Sequence, residues 1–244
     1  MHPPELRRTA MAMLASGVSV SATSAALAVS RAAIRDWRDH GIEPRTPCEI
    51  PGARPEAAYA ALLGFYLGDG CISEAARTAV LRISCDERHP GVVEDVERCV
   101  RAVHPARPAH RIRAPGVVVV QSGWKHWPCL FPQHGPGRKH ERPIVLADWQ
   151  EEIVAAYPWD FLRGLLHSDG ARVNNWATRM VAGERKRYDY PRWQFVNASE
   201  DILALCTATL DRVGVPWRRS GRRTVSVSTR AGVGAVDEHV GLKQ

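Results

Sequence analysis

The chain has 244 residues, 45 % of them hydrophobic and 24 % charged, with a formal net charge of +7. It is long enough to bury a full core in one large domain with room for a small one, and its basicity favours a polyanionic partner without separating DNA from RNA or an anionic membrane surface. No apolar run reaches the roughly 18 residues of a membrane span and the N-terminus carries no charged-then-apolar leader, so neither export nor membrane attachment is expected.

Of the 33 basic residues 29 are Arg and only 4 are Lys, a bias that partly reflects a GC-rich coding sequence and is discounted for function. The six cysteines are scattered without a CxxC pair and read as buried small hydrophobes of a reducing cytosol.

Residues 1–41 read as a separate all-α unit. Amphipathic spacing predicts helices over Glu5–Ser16, Ser21–Ala28 and Ser30–His40, with Ser21 and Ser30 as caps, Gly41 as stop, and Leu14, Leu27, Val29, Ile34 and Trp37 as a miniature core. The run Ser24–Trp37 resembles the helix-turn-helix of transposase and resolvase types, with Ser30–His40 as recognition helix. Arg31, Arg35 and Arg38 then point the same way, toward guanine edges or phosphates. A small packing or dimerisation bundle with solvated arginines is the alternative. Residues 42–55 hold Pro44, Pro47, Pro51, Gly52 and Pro55 and are expected to form a stiff linker that displaces this unit from the main domain.

From residue 56 the chain says the same thing twice. Ala61–Gly70 (ALLGFYLGDG) and Phe161–Gly170 (FLRGLLHSDG) are apolar helices ending in Asp-Gly. Gly64 and Gly68, then Gly164 and Ser168, recur at i and i+4, so each helix has one face stripped of bulk and the two can pack with their backbones almost touching. That packing brings Asp69 and Asp169 together at two helix C-termini, where the macrodipole and mutual repulsion both oppose ionisation. Divalent cations remove the conflict; hard oxygen donors suit Mg²⁺, with one carboxylate per ion and the rest left to water, backbone carbonyl and substrate phosphate. The metal set is Asp69, Asp169, Gly68 and Ser168.

The pair Leu62–Gly70 and Leu162–Gly170 resembles the doubled motif of single-chain LAGLIDADG homing endonucleases, over roughly Glu56 to the C-terminus. The fold class this implies is α+β: a pseudo-two-fold, duplicated αββαββα saddle, preceded here by the helix-turn-helix unit. Repeats are expected at 56–150 and 151–244. In the first, strands are expected over Val80–Cys85, Ala109–Ala114 and Val117–Gln121, a helix near His89–Val103 and turns through Trp124–Gly137. In the second, strands are expected at Trp193–Ala198, Trp217–Arg219 and Val225–Ser228, and a helix at Glu200–Val213. The apolar set Val92, Val93, Val96, Val100, Val103 maps onto Ile202, Leu203, Cys206, Leu210, Val213 with a shift of 110, whereas the motifs are shifted by 169 − 69 = 100. Ten extra residues must lie between, and the Arg185-Lys186-Arg187 run places them in Arg179–Tyr190.

The strands alternate in polarity: Arg192 and Gln194 with Trp193 and Phe195, Arg111 and Arg113 with Ile112, Thr224, Ser226 and Ser228 with Val225 and Val227. One face is expected to pack on helices and the other to meet phosphates and base edges, although a merely solvated face gives the same pattern. The DNA-facing set is Arg82, Arg111, Arg113, Arg138, Lys186, Arg192, Arg218 and Arg222. His126, Cys129, His134 and His140 have irregular, proline-interrupted spacing that argues against zinc.

The resemblance further implies a lysine between the motifs that orders water near the metals, for which Lys139 is the local match, and a polar residue after the second motif, for which Gln194 is expected. Arg138 or Lys139 could equally be a plain phosphate contact. Leu67 and His167 stand where the family often has an acidic residue two before the final Asp. The expected function is a monomeric double-stranded DNA endonuclease using Mg²⁺, with Mn²⁺ able to substitute, that leaves short 3′ overhangs, in the nucleoid of a bacterial or phage-like source. A non-cleaving DNA-binding transcriptional regulator on the same scaffold is the competing reading, and an RNA-binding maturase a weaker one. The absence of a terminal His-Asn argues for a free-standing protein rather than an intein.

Overall fold

The computed structural model describes residues 4–41, 56–75 and 78–244. The chain forms two compact units, Met1–Ile50 and Pro51–Gln244. The expected linker, 42–55, lies outside the described residues, as does Cys48.

The first unit has three helices, α1 (Pro4–Ala15), α2 (Val20–Leu27) and α3 (Arg31–His40). Ala10, Val29, Ile34 and Trp37 are buried at its centre with Leu6, Met11, Leu14 and Leu27 around them, which is the miniature core expected. α2 starts earlier than expected because Ser19, not Ser21, caps it, its hydroxyl accepting from the Ala22 N–H at 3.2 Å. Ala28 takes a left-handed conformation (φ 51°) and turns the chain into α3, whose cap Ser30 accepts from the Ala33 N–H at 3.2 Å.

The second unit repeats one pattern. In the first repeat α4 (Glu56–Asp69) leads into β1 (Gly70–Ala75) and β2 (Thr78–Asp86), then α5 (Pro90–Val103), β3 (His110–Ala114), β4 (Val117–Gly123) and α6 (Trp127–Leu130). A short 3₁₀ turn at Lys139–Glu141 and α7 (Asp148–Ala156) follow. The second repeat runs α8 (Pro158–Asp169), β5 (Gly170–Val181), β6 (Glu184–Val196), α9 (Glu200–Arg212), β7 (Arg218–Gly221), β8 (Thr224–Val227) and α10 (Arg230–His239). The expected boundary at 150/151 falls inside α7, because the second repeat is started by Pro158 at the head of α8.

Each repeat carries a four-stranded antiparallel sheet, ordered β1-β2-β4-β3 and β5-β6-β8-β7. Equivalent strands occupy equivalent places, which is the αββαββα duplication expected. Ala79, Leu81, Ile83 and Cys85 of β2 are buried and alternate with a solvent-side row, so one face of the sheet packs on helices and the other is open. Cys85, Cys99 and Cys206 are buried thiols as expected; Cys71 is exposed, and Cys129 is not among the free thiols.

Strands β1 and β5, absent from the sequence reading, begin directly at the motif glycines. The chain doubles back there so tightly that a Cβ on Gly70 would lie 2.7 Å from the Ile83 Cδ1, and one on Gly170 2.7 Å from the Leu166 Cα. Gly170 has φ −95°, so it serves close approach rather than a left-handed cap. The ten extra residues are accounted for in full: the hairpin 170–196 has 27 residues against 17 in 70–86, with both strands longer.

Candidate metal and nucleic-acid site

The motif helices meet backbone to backbone. A Cβ placed on Gly64 falls 2.9 Å from the Gly164 Cα and one on Gly164 falls 2.9 Å from the Gly64 Cα, a separation real side chains do not reach. One turn on, a Cβ on Gly68 would lie 2.8 Å from the Ser168 Oγ and 3.3 Å from Asp169 Oδ2. The Ser168 hydroxyl is folded back onto the Gly164 carbonyl at 2.9 Å, which keeps the seam clear. Gly64, Gly68, Gly164 and Ser168 therefore stand where the small-residue spacing puts them.

Asp69 and Asp169 come to neighbouring helix ends as a consequence, Asp169 half-buried and Asp69 open to solvent. Partial desolvation by the surrounding protein raises the Asp69 carboxyl above its ordinary range, against the pull of Lys139 and Lys243. Burial together with the charge of Asp69 pushes Asp169 up to about 6, even though Asn197 Nδ2 donates to its Oδ2 at 2.7 Å.

Two lysines cap the two helix ends. Lys139 Nζ donates to the Tyr66, Leu67 and Gly68 carbonyls at 2.5, 2.9 and 2.6 Å and lies 5.3 Å from the Tyr66 ring centre. Burial brings its ammonium down to about 8, partly countered by Asp169 and Asp69. Lys243 Nζ donates to the Ser168 carbonyl at 2.9 Å, and burial lowers it too, against Asp69 and Asp169. The loop that carries Lys139 is tied down by Arg142, which donates to the Gly137 and Gln133 carbonyls at 2.8 and 3.2 Å. Beneath it, Gln133 donates to Gln150 at 2.6 Å and Gln150 to the Tyr59 hydroxyl at 2.7 Å, linking the loop to α7 and α4. A cavity of about 520 Å³ opens beside Asp69, lined by Lys243, His167, Cys85, Asp86 and Arg172.

No group of three His, Cys, Asp or Glu side chains able to hold a metal occurs among the described residues. Two carboxylates beside the Gly68 and Ser168 carbonyls are a hard-oxygen set. Their raised proton affinity is the conflict a divalent cation relieves, and a shell completed by water and phosphate suits Mg²⁺.

The other expected residues are placed unequally. Among the described residues Gln194 makes no hydrogen bond to either carboxylate; it sits on the open face of β6, its amide oxygen accepting from Arg192 Nε at 3.2 Å. Asn197, three residues on and past the strand end, makes the contact instead. Arg111 and Arg113 alternate as expected but on the opposite face. They pair with Val120 and Val118 of β4, whose side chains are buried, and Arg111 Nε donates to Glu97 of α5 at 2.9 Å. His110 and Ile112 are the β3 residues on the open face. Arg82 is on that face, bound to Gln121 at 3.3 Å and to Ser73. Arg192, Gln194 and Arg218 share the open face of the second sheet through Ser226, and Lys186 lies further out along it. Arg138 and Arg222 are exposed in turns. In α3, Arg31, Arg35 and Arg38 are exposed, with Arg38 Nε held by Asp39 at 2.8 Å.

Lys243 was detectable by the signal that marks Lys139, since both are among the four lysines of an Arg-biased chain. Asn197 carries no such mark.

No protein-family model and no curated protein matches this chain. Solved structures do. The homing endonuclease I-DmoI in complex with DNA and Mn aligns with 76 % of this chain and 97 % of its own, at TM-score 0.50 and 11 % identity. Full-length WhiA from Thermatoga maritima aligns with 82 % of this chain and 59 % of its own, at TM-score 0.50 and 15 % identity. The LAGLIDADG meganuclease I-AabMI bound to uncleaved DNA covers 74 % of this chain and 82 % of its own, at TM-score 0.46 and 14 % identity. The second unit has the LAGLIDADG fold.

Proposed function

We propose that the protein is a double-stranded DNA endonuclease in which Asp69 and Asp169, with the Gly68 and Ser168 carbonyls, hold Mg²⁺. The observation that carries this reading is the pair of carboxylates at the paired helix ends, both raised in proton affinity by partial desolvation, with each helix end capped by a lysine. Without cations the two carboxylates repel each other and the half-buried Asp169 is partly desolvated, a cost that a purely structural role leaves unexplained. A bound divalent ion supplies charge for a scissile phosphate and lowers the pKa of an attacking water. Asn197 fixes the Asp169 carboxylate in orientation, and Lys139 and Lys243 place compact ammonium groups beside the site where phosphate charge is handled. Arg82, Arg192, Gln194 and Arg218, on the open faces of the two sheets, bind the duplex backbone and base edges. One chain then serves as a monomer, each half addressing one strand, with Mn²⁺ able to replace Mg²⁺.

The N-terminal unit adds affinity through Arg31, Arg35 and Arg38 on flanking DNA. Deleting Met1–Ile50 is expected to lower the slope of log K against log salt by roughly 0.9 per lost phosphate contact while the cut phosphates stay the same. An unchanged slope assigns α1–α3 to packing or dimerisation.

The decisive test is Mg²⁺-dependent nicking of a random plasmid library. The parent protein is expected to linearise a subset of sites; Asp69→Asn and Asp169→Asn are expected to bind those sites in Ca²⁺ and leave them intact. A second reading, a DNA-binding regulator that does not cut, draws on the helix-turn-helix geometry of α2 and α3 and on the lysine ammonium groups already bound at the two metal-facing carbonyls. Sequence-specific binding with no nicking under Mg²⁺ or Mn²⁺ selects it.

A further inference from the structure

The first sheet has a cavity at the end remote from its motif glycine. There β2 begins at Thr78, paired with Ala75 rather than with Gly70, and β4 ends at Gly123. Between these strand ends and the turn from α5 to β3 lies a space of about 590 Å³, within the roughly 300–1,000 Å³ of small-molecule sites. His104, Trp124, Arg107, Lys125 and His110 line it. Among the described residues no carboxylate does.

His104 is the buried member of this set, 7 % exposed, with its ring stacked on Trp124 at 4.2 Å and edge-on to Trp127 at 5.9 Å. Its Nδ1 is sealed from solvent without a hydrogen-bond partner among the described residues. Nε2 is therefore the nitrogen left to meet a ligand, and a neutral imidazole with its proton there is a donor. Burial holds the ring below its ordinary range, and Arg107 and His126 push it the same way, so every charge that bears on it is positive. Arg107 and His110 are exposed and make no ion pair among the described residues.

Packing does not ask for this group. A cation beside the C-terminus of α5 is what the helix dipole favours, which accounts for Arg107; His110 starts β3 and Lys125 follows β4, and the dipole accounts for neither. Nor does the repeat ask for it. Under the shift of 110 that relates α5 to α9, Gly214 stands where His104 does. At that corner an aromatic ring meets a carboxylate instead, Trp217 Nε1 donating to Asp211 at 2.7 Å.

We propose that this cavity binds a free phosphate ester of nucleotide size or smaller, its phosphate held by Arg107, Lys125 and His104. A guanidinium, an ammonium and an imidazole N–H brought together from three segments suit a group with several acceptor oxygens and more than one charge. The phosphates of an intact duplex have the same chemistry but ride on a smooth outer surface and do not reach a ring buried to this depth, so the free ester is the source favoured. Binding there is independent of cleavage at Asp69 and Asp169.

The test titrates the full chain with inorganic phosphate, adenosine monophosphate and adenosine in a calorimeter. The two phosphates are expected to bind at one equivalent and adenosine not at all. Arg107→Ala is expected to weaken binding roughly tenfold or more, as the loss of a charge-assisted hydrogen bond, with an unchanged Tm. His104→Phe keeps a ring on Trp124 and removes the sealed nitrogen; it is expected to weaken binding by a similar factor while Tm holds or rises. Arg230→Ala, at the head of α10, is expected to change nothing. A parent that binds neither phosphate at millimolar concentration overturns the site, as does binding that survives both Arg107→Ala and His104→Phe. Equal weakening by Arg107→Ala and Arg230→Ala marks diffuse attraction to a basic chain and overturns it too. If a DNA duplex displaces adenosine monophosphate and Arg107→Ala weakens both alike, the phosphate belongs to a DNA backbone and the free ester is overturned.

Discussion

The ends of α4 and α8 are built from one ten-residue pattern but furnished differently. At α4 a single lysine gathers three carbonyls, and among the described residues no donor hydrogen-bonds the Asp69 carboxylate. At α8 the lysine takes one carbonyl, and the carboxylate has its own donor in Asn197. The helix seam tolerates no change, because backbone meets backbone at Gly64 and Gly164. The surroundings of the two aspartates arise from loops and tails that are free to differ. Pseudo-symmetry is strict where packing demands it and loose one layer away.

The sharpest way to break the comparison is at the seam. Gly164→Leu and Gly64→Leu each drive a side chain into the partner helix backbone, and each is expected to cost about 3 kcal/mol or more, a fall in Tm of roughly 6–12 °C for a domain of this size. Equal losses in the two variants confirm strict symmetry; an unchanged Tm in either removes the close helix contact.

The next effect depends on pH. The Asp169 carboxyl lies at about 6 when folded, above its ordinary 3.8, so its proton favours the folded state. Its ionisation costs nothing below about pH 4 and becomes a full penalty above about pH 6, worth at most about 3 kcal/mol. In EDTA, Asp169→Asn is therefore expected to melt above the parent at about pH 7.5 and level with it near pH 4. Millimolar Mg²⁺ is expected to raise the parent and leave Asp169→Asn behind. A difference that ignores pH means the carboxylate is not strained by its setting.

Lysine replacement follows. Lys139→Met strands three carbonyls and is expected to cost about 2–3 kcal/mol, against about 1 for Lys243→Met. Lys139→Arg is not expected to restore it, since a planar guanidinium does not converge on three carbonyls as an ammonium does. Equal Tm shifts at the two lysines erase the asymmetry between helix ends. The smallest effect serves as a control: Gly234, in α10, has nothing within 4 Å of an added Cβ, so Gly234→Ala is expected to gain about 0.5–1 kcal/mol.

What was legible in the sequence follows from the same contrast. The small-residue phase of 64/68 and 164/168 announced the seam, and the seam fixed both aspartates. The shift of 110 against 100 sized the insertion correctly, because helix and strand periodicity survive between repeats. The faces of β3 were not legible: Arg-Ile-Arg shows that two faces exist, but an edge strand with Ile112 48 % exposed carries no apolar row to say which face is inward. Asn197 escaped because a strand end has no period; Lys243 shared the rarity that marks Lys139, but a tail has no period to say where it comes to rest.

The seam also has a consequence for synthesis. Nine of the fourteen residues of α4 are buried, largely against a helix that begins at Pro158, about a hundred residues later. At roughly 5–20 residues per second, the first repeat waits on the order of 5–20 s on the ribosome with the α8-facing side of its central helix uncovered. During that interval the nascent chain presents an apolar stripe to chaperones and proteases, so translation pauses within α5 to α7 are expected to lengthen the exposure and lower the yield of folded protein.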